Sequence, residues 1–408
     1  MVKTAQHFDL LIIGGGMVGA SLACALGNQP LRVGVIEAVP FRSSSQPSYD
    51  DRSIALAFGA RKIFEGMGLW QQVADIVTPI KKIHVSDRGH FGTTRMDAAR
   101  EGYPALGYVV ENRDLGQLFA KELESLPNIE LICPAQMKNV TINANDAEVV
   151  IEKDGEIETL TTKLIVGADG GRSVVRQLAG ISHTSDDYNQ SAVIANVTPG
   201  KGHQHTAYER FTDSGPLALL PMTEGRCSLV WTVDRDKVDE VMAWDDETFL
   251  TRLQQRFGMR VGPLQKVGRR NAYPLALVRA DEHIRPRLAL IGNAAHVLHP
   301  IAGQGFNLGI RDVAALAQVI VEAKEADIGA LSVLNQYDQW RKRDQDCVAG
   351  LTDGLVRIFS NQITALVIGR NSGLLAMDII PPVKRALMRQ TMGLAGKLPK
   401  LARGIPLS

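Results

Sequence analysis

Short, largely apolar runs that end in glycine recur along this chain. FDLLII (Phe8–Ile13) runs into GGGMVG, LIV (Leu164–Val166) into GADGG, and LALI (Leu288–Ile291) into GNAAH. Such a run closed by a turn signal predicts a strand buried on both faces, as in a parallel sheet. After the first run, MVGASLACALG places small and apolar residues at helical spacing, and LRVGVIE predicts a second buried strand ending at Glu37. The N-terminus is therefore expected to be a β-α-β unit. Between residues 183 and 285 the pattern changes to alternation. SAVIANV, GPLALLPM and CSLVWTV, separated by turns such as TEGR, predict an antiparallel sheet inserted into the first fold. After Asp312 the pattern is helical, and residues 351–380 are rich in Leu, Ile, Val and Met. The expected fold class is α/β. A Rossmann-like domain would take residues 1–182 and 286–345, and the inserted sheet 183–285, with part of 75–110 a candidate to join it. A helical region would fill 346–408.

A chain of 408 residues has room for this division. The net charge of +1 gives no global field, so no nucleic-acid partner is expected. Cys24, Cys133, Cys227 and Cys347 show no paired spacing, which argues against a disulfide framework or zinc site and fits a reducing cytoplasm. The N-terminal apolar run is too short for a signal peptide, and no run reaches the ~18 residues of a membrane span.

The first glycine loop carries specific chemistry. Gly14, Gly16 and Gly19 form G-x-G-x-x-G between two predicted strands, and Glu37 follows Gly19 by 18 residues. Gly14 suits the tight turn, Gly16 lets the backbone approach a pyrophosphate, and Gly19 lets helix and strand pack closely. The helix N-terminus offers free N–H groups to phosphate, and Glu37 can accept from a ribose hydroxyl. Ala20-Ser21 stand where a Walker loop needs Lys-Ser/Thr, so that alternative is excluded. The loop alone does not separate FAD from NAD.

Two further segments do. LIVGADGGRSVVR (164–176) resembles the DG fingerprint of the FAD-dependent aromatic hydroxylases, with Asp169-Gly170 at the turn. HPIAGQGFNLGIRD resembles that family's third signature, with Pro300, Gly303, Gln304, Gly305, Asn307, Gly309 and Asp312 in place. The resemblance implies one extended FAD. Its adenosine end would lie near Gly14–Glu37 and its flavin near Gly292–Gly309, under a glutathione reductase-type βαβ fold that brings both loops together. It also implies a helix N-terminus after Asn307 aimed at the flavin, Asp169 on the flavin side, and Arg172 and Arg176 as candidate phosphate or nicotinamide contacts. Arg52 in YDDRSIAL and Arg113 in VVENRDL match family positions near FAD. On the residues alone, Asp169 also reads as a turn residue and Arg52 as a surface ion-pair partner. Asn293 departs from the family's usual acid; its amide can still accept a hydrogen bond and can also donate one.

HVSDRGH (84–90), ERFTDSGPLALLPM (209–222) and GRCSLVW (225–231) resemble the branch that hydroxylates polyprenylated phenols in ubiquinone biosynthesis, over nearly the whole chain. That resemblance implies a single-component monooxygenase. NAD(P)H, a transient co-substrate, reduces FAD, O2 adds to give a C4a-hydroperoxyflavin, and OH passes to a hydrophobic prenylated methoxyphenol. There is no C-x-x-C motif to support a disulfide reductase, and no triad is expected because the flavin carries the chemistry. The residue that activates the phenol is not identifiable from the sequence. Leu217, Leu219, Pro221 and Trp231 are candidates to line a substrate pocket, although ordinary core is the commoner use of any one such residue. His296 and His299 lack a third ligand for a metal, and are expected as helix-start polar residues near the flavin. Residues 381–408 hold six Lys or Arg and no acid. They read either as a solvated tail or as a basic amphipathic surface meeting the inner membrane or a partner protein of a biosynthetic complex. A sister hydroxylase of another ring position or of a soluble aromatic, and a non-catalytic flavin-binding scaffold, are the competing functions.

Overall fold

The computed structural model describes residues 6–40, 52–324, 326–359 and 363–407. Tyr49, Asp50 and Asp51 of YDDRSIAL lie outside them.

The apolar runs form the centre of an eight-stranded sheet. Leu288–Leu290, Glu156–Gly167, Gln6–Ile13, Val33–Ile36 and Ile129–Ile132 lie side by side in that order, all parallel. Leu10 pairs with Leu164 on one side and Val33 on the other, and Ile13 with Gly167 and Ile36. Every strand in this run therefore ends at the same edge. Gly14, Glu37, Ala168 and Ile291 emerge there together, although almost 280 residues separate the first from the last. Ligands of open parallel sheets bind beyond these carboxyl ends.

Two helices cover one face of the sheet, Met17–Ala25 and Gln304–Glu322. Leu22, Leu26, Val313 and Leu316 are fully buried in the shared core. Glycine sets how closely the two elements approach. A Cβ on Gly309 would meet Val18 Cγ2 at 2.9 Å and Gly292 Cα at 3.2 Å.

A nine-stranded sheet forms the second layer. Its order is His296–Val297, Asn271–Ala280, His183–Pro199, Cys227–Asp234, Gly215–Pro221, Thr206–Thr212, Lys82–Asp87 and Thr93–Asp97, with Leu264–Val267 on the side. It draws two strands from residues 82–97, and Lys82–Asp87 runs parallel to Thr206–Thr212. The segment between Cys227–Asp234 and Leu264–Val267 is helical, not extended. Asp246–Phe257 is a helix whose Asp245 cap accepts a hydrogen bond from Thr248 N at 2.7 Å. Helices Leu331–Phe359, Thr364–Ile379 and Pro381–Thr391 complete the chain.

Candidate active site

The carboxyl edge of the parallel sheet opens on a cavity of about 1270 Å³ that runs from the first glycine loop to the C-terminal helices. Gly14, Gly16, Glu37, Arg52, Asp169, Gly170, Asn293, Pro300, Gly303, Gln304, Gly305 and Asn307 all border it. It exceeds the ~300–1,000 Å³ usual for one small-molecule site, leaving space for a second molecule beside a dinucleotide.

At the N-terminal end the glycines do what the motif requires. Gly14 has φ +101, and an added Cβ would lie 2.7 Å from Ala168 O. A Cβ on Gly19 would lie 1.9 Å from Gly14 O. The loop is thus held tightly where the helix starts, and a helix N-terminus favours an anion. Glu37 supports it from behind. Its Oε2 accepts from Gly15 N at 2.7 Å and its Oε1 from Val39 N at 2.9 Å. Glu37 also borders the cavity, where a carboxylate suits a ribose hydroxyl.

The second loop is built by its polar letters. Gly303, with φ +61, caps the helix that begins at Gln304, so Asn307 lies within its first turn rather than before it, as the resemblance implied. Asn307 uses its whole amide on the backbone. Oδ1 accepts from Ala57 N at 2.7 Å, and Nδ2 donates to Ala55 O at 2.7 Å and Gly303 O at 2.6 Å. It clamps the Ser53–Ala57 strand to the loop, so their backbones line one wall. A Cβ at Gly305 would meet nothing within 4 Å, so this helix start faces open space.

Asp312 is fully buried. Its Oδ2 accepts from Gly292 N at 3.1 Å and His296 Nε2 at 2.7 Å; its Oδ1 accepts from Arg341 Nε at 2.8 Å and Gln345 Nε2 at 2.9 Å. Despite burial, the His296 and Arg341 partners hold its carboxyl well below the usual carboxylate range. Asn293 by contrast is exposed at the cavity rim. Asp169 Oδ2 accepts from Val175 N at 3.1 Å, while burial raises its carboxyl.

Several sequence expectations need correction. Arg176 is not aimed at a ligand: it is buried, and donates to Ala294 O and Gly171 O, both at 2.8 Å, tying the DG turn to the Gly292–Ala295 turn. Arg172 is exposed, away from the cavity lining. Arg113 is also exposed, and its neighbour Asn112 borders the cavity instead. Arg52 borders the cavity with its guanidinium 4.8 Å from the Tyr273 ring centre. A single 3-10 turn, Gly292–Ala294, follows the strand, and the expected helix does not continue from it to the histidines. His296 is in a two-residue strand, and His299 is buried against Tyr188, with burial pushing its imidazole down to about 4.

The expected substrate wall is out of phase by one residue. Leu217, Leu219 and Trp231 point away from the cavity into a core with Phe249, Leu253 and Phe257. Pro221 follows the same phase and is buried outside the lining. The cavity face of the sheet carries Pro216, Ala218, Leu220, Val230 and Thr232. The sequence pattern also missed Glu209, which borders the cavity from the Thr206–Thr212 strand.

The C-terminal region is not a free tail. Met388, Met392, Leu401 and Ala402 are buried in the main core. Leu355, Phe359, Leu374, Met377 and Leu387 wall the far end of the cavity. On the outer side of the same helices, Ile368 is 57% and Ile379 66% exposed. No helix among the described residues is long and apolar enough to cross a membrane.

A parallel sheet with glycine-shaped anion cradles at one edge, continuous with an apolar chamber under a second sheet, is the architecture of a flavin-dependent monooxygenase. Residues 7–348 match the family model described as FAD binding domain. The chain is 39% identical over 409 residues to the ubiquinone hydroxylase UbiL of Rhodospirillum rubrum, covering 98% of this chain and 93% of that one. It is 33% identical over 397 residues to 3-demethoxyubiquinol 3-hydroxylase of Escherichia coli K12, covering 96% and 100%. The fold superimposes on the crystal structure of p-nitrophenol 4-monooxygenase PnpA from Pseudomonas putida DLL-E4 with a TM-score of 0.80 at 20% identity, covering 97% and 100%. The chain belongs to the FAD-binding-domain family, as an FAD-dependent aromatic-ring monooxygenase.

Proposed function

We propose that this protein hydroxylates the ring of a polyprenylated methoxyphenol in ubiquinone biosynthesis, using FAD, NAD(P)H and O2. The observation that carries this reading is the shape of the cavity. One end is a backbone cradle for FAD, and the other is an apolar chamber that reaches the C-terminal helices. Bound FAD would supply oxygen activation. Gly14–Val18 and Gly303–Asn307 would hold its phosphates and ring through backbone amides, and Glu37 its ribose. The flavin-facing strand is fixed by Asn307, and the chamber walls exclude water, which protects reactive oxygen chemistry from side reactions. Among the relatives, both named above are ubiquinone-pathway hydroxylases, which supports a prenylated phenol over a soluble aromatic acid.

The exposed apolar side chains of the Thr364–Ile379 helix, beside Lys384, Arg385 and Arg389 on the next, fit an anionic bilayer from which such a substrate would enter. The deciding assay is NAD(P)H oxidation by the FAD-loaded protein, with and without 2-geranyl-6-methoxyphenol, followed by mass spectrometry of the phenol. Stimulated oxidation with a gain of one oxygen is expected. A flavin-bound protein that gives neither with any prenylphenol would move the scaffold reading forward.

A further inference from the structure

We propose that Glu209 takes the proton from the substrate phenol during hydroxylation. The inference rests on the phenol reading above and deepens it by naming the base.

Glu209 lies at the middle of the Thr206–Thr212 strand, paired with Val85 on one side and Ala218 on the other, and all three border the cavity. Its same-face neighbours on the strand mark the two ends of the chamber. Ala207 packs in the cluster that includes Ala55 and Leu220, where Asn307 fixes the FAD side. Phe211 stacks on Phe359 at the apolar far end. Same-face residues two apart on a strand are separated by about 7 Å. Glu209 therefore sits between the cofactor end and the tail end, where the head of a long apolar phenol must lie.

Among the described residues, no hydrogen bond or ion pair reaches its carboxylate, and loss of solvent alone pushes it up to about 7. Its own surface is only half-buried because the carboxylate borders the cavity. An unpaired carboxylate in an apolar chamber is costly to the fold and is the kind of group that functional sites retain. The other titratable groups bordering the chamber are engaged elsewhere. Arg370 is bound to Asp87, the next same-face residue after Val85 along Lys82–Asp87, at 2.8 Å. Arg52 lies over Tyr273, Glu37 and Asp169 accept from the backbone N–H groups of Gly15 and Val175, and Tyr208 packs edge-on to Phe257. Arg210, on the same strand, is absent from the lining.

In the proposed step the phenol O–H bond breaks, its electron pair stays on the phenolic oxygen, and the proton moves to a Glu209 oxygen. The ring becomes electron-rich as it attacks the oxygen atom supplied by O2 and NAD(P)H through FAD. The O–O bond breaks as the C–O bond forms, the attacked carbon gives its own proton to the departing oxygen, which leaves as water, and Glu209 returns its proton to the phenolate. A base with a pKa near working pH is suited to this exchange.

The test compares FAD-loaded wild type with Glu209→Gln, both checked for the same flavin spectrum. On 2-geranyl-6-methoxyphenol at pH 8, the variant is expected to lose about 100-fold in kcat/KM. It should lose the activity limb that rises through pH 7, and recover on ring-fluorinated analogues already ionised at the assay pH. An equal loss across the analogues, or no loss, overturns the proposal. A second readout needs no turnover. Bound 4-nitrophenol should ionise at lower pH in the variant than in wild type, because the adjacent carboxylate charge is gone. Superimposable ionisation curves overturn the proposal. A shifted curve in a protein that hydroxylates no phenol would confirm the contact and refute the substrate reading instead.

Discussion

Replacing Asp312 by Asn removes one charge from a fully buried site and leaves four donors facing an amide. Gly292 N and His296 Nε2 meet one oxygen, Arg341 Nε and Gln345 Nε2 the other. An amide presents one acceptor, so one pair of donors loses its partner. Breaking a buried charge pair from one side costs about 3–5 kcal/mol. An unfolding entropy of about 2.1 cal/mol/K per residue over 408 residues gives roughly 0.9 kcal/mol/K. The melting temperature of Asp312→Asn should therefore fall by roughly 3–6 °C, measured by scanning calorimetry on the cofactor-free protein. The Gly292–Asn293 turn should loosen with it, weakening FAD binding in a fluorescence titration. The pH dependence has a definite sign. A carboxyl held below its unfolded value stabilises fully above the ordinary pKa of about 4, and that stability is lost as pH falls toward the folded value. Wild type should thus lose stability on acidification more steeply than the variant. A variant that melts within 1 °C of wild type, with the same acid slope, would refute the role assigned to Asp312.

Gly19→Ala places a methyl 1.9 Å from Gly14 O, so the loop must shift; the purified variant should carry little flavin and not recover it in excess FAD. Trp231→Ala should lower stability by about 3–5 kcal/mol in denaturant unfolding while leaving the order of preferred phenols unchanged. Ala218→Phe should do the reverse, raising KM for prenylated phenols with little change in melting, because Ala218 and not Trp231 faces the chamber. Ile368→Asp with Ile379→Asp should abolish sedimentation with phosphatidylglycerol vesicles and spare turnover of a short-chain phenol in solution; unchanged vesicle binding would remove the docking surface.

The parallel strands were legible because continuous apolar runs closed by glycine have few other uses. The phase of the substrate wall was not. In GPLALLP both faces are apolar, since Leu217 and Leu219 pack under the Asp246–Phe257 helix while Pro216, Ala218 and Leu220 face the chamber. Alternation identifies a strand but needs a wet face to say which side is which. Glu209 was hidden for a related reason: in YERFT one acid among polar neighbours reads as a solvent-facing residue, and only the register against Val85 and Ala218 turns it inward.

The signature motifs teach a different lesson about reading roles from pattern. Their polar letters looked like ligand contacts, yet Asn307 spends its amide on Ala55, Ala57 and Gly303, Arg176 on Ala294 and Gly171, and Asp312 on Gly292 and its neighbours. These side chains fix backbone, and it is backbone and glycine that line the cradle. A position inside such a lattice cannot change without unpairing a buried group. Asn293 stands outside it, exposed at the rim and free of that constraint. The one departure from the usual motif therefore falls where the lattice does not depend on the residue, and exchange of Asn293 for Asp should leave melting unchanged while altering FAD affinity.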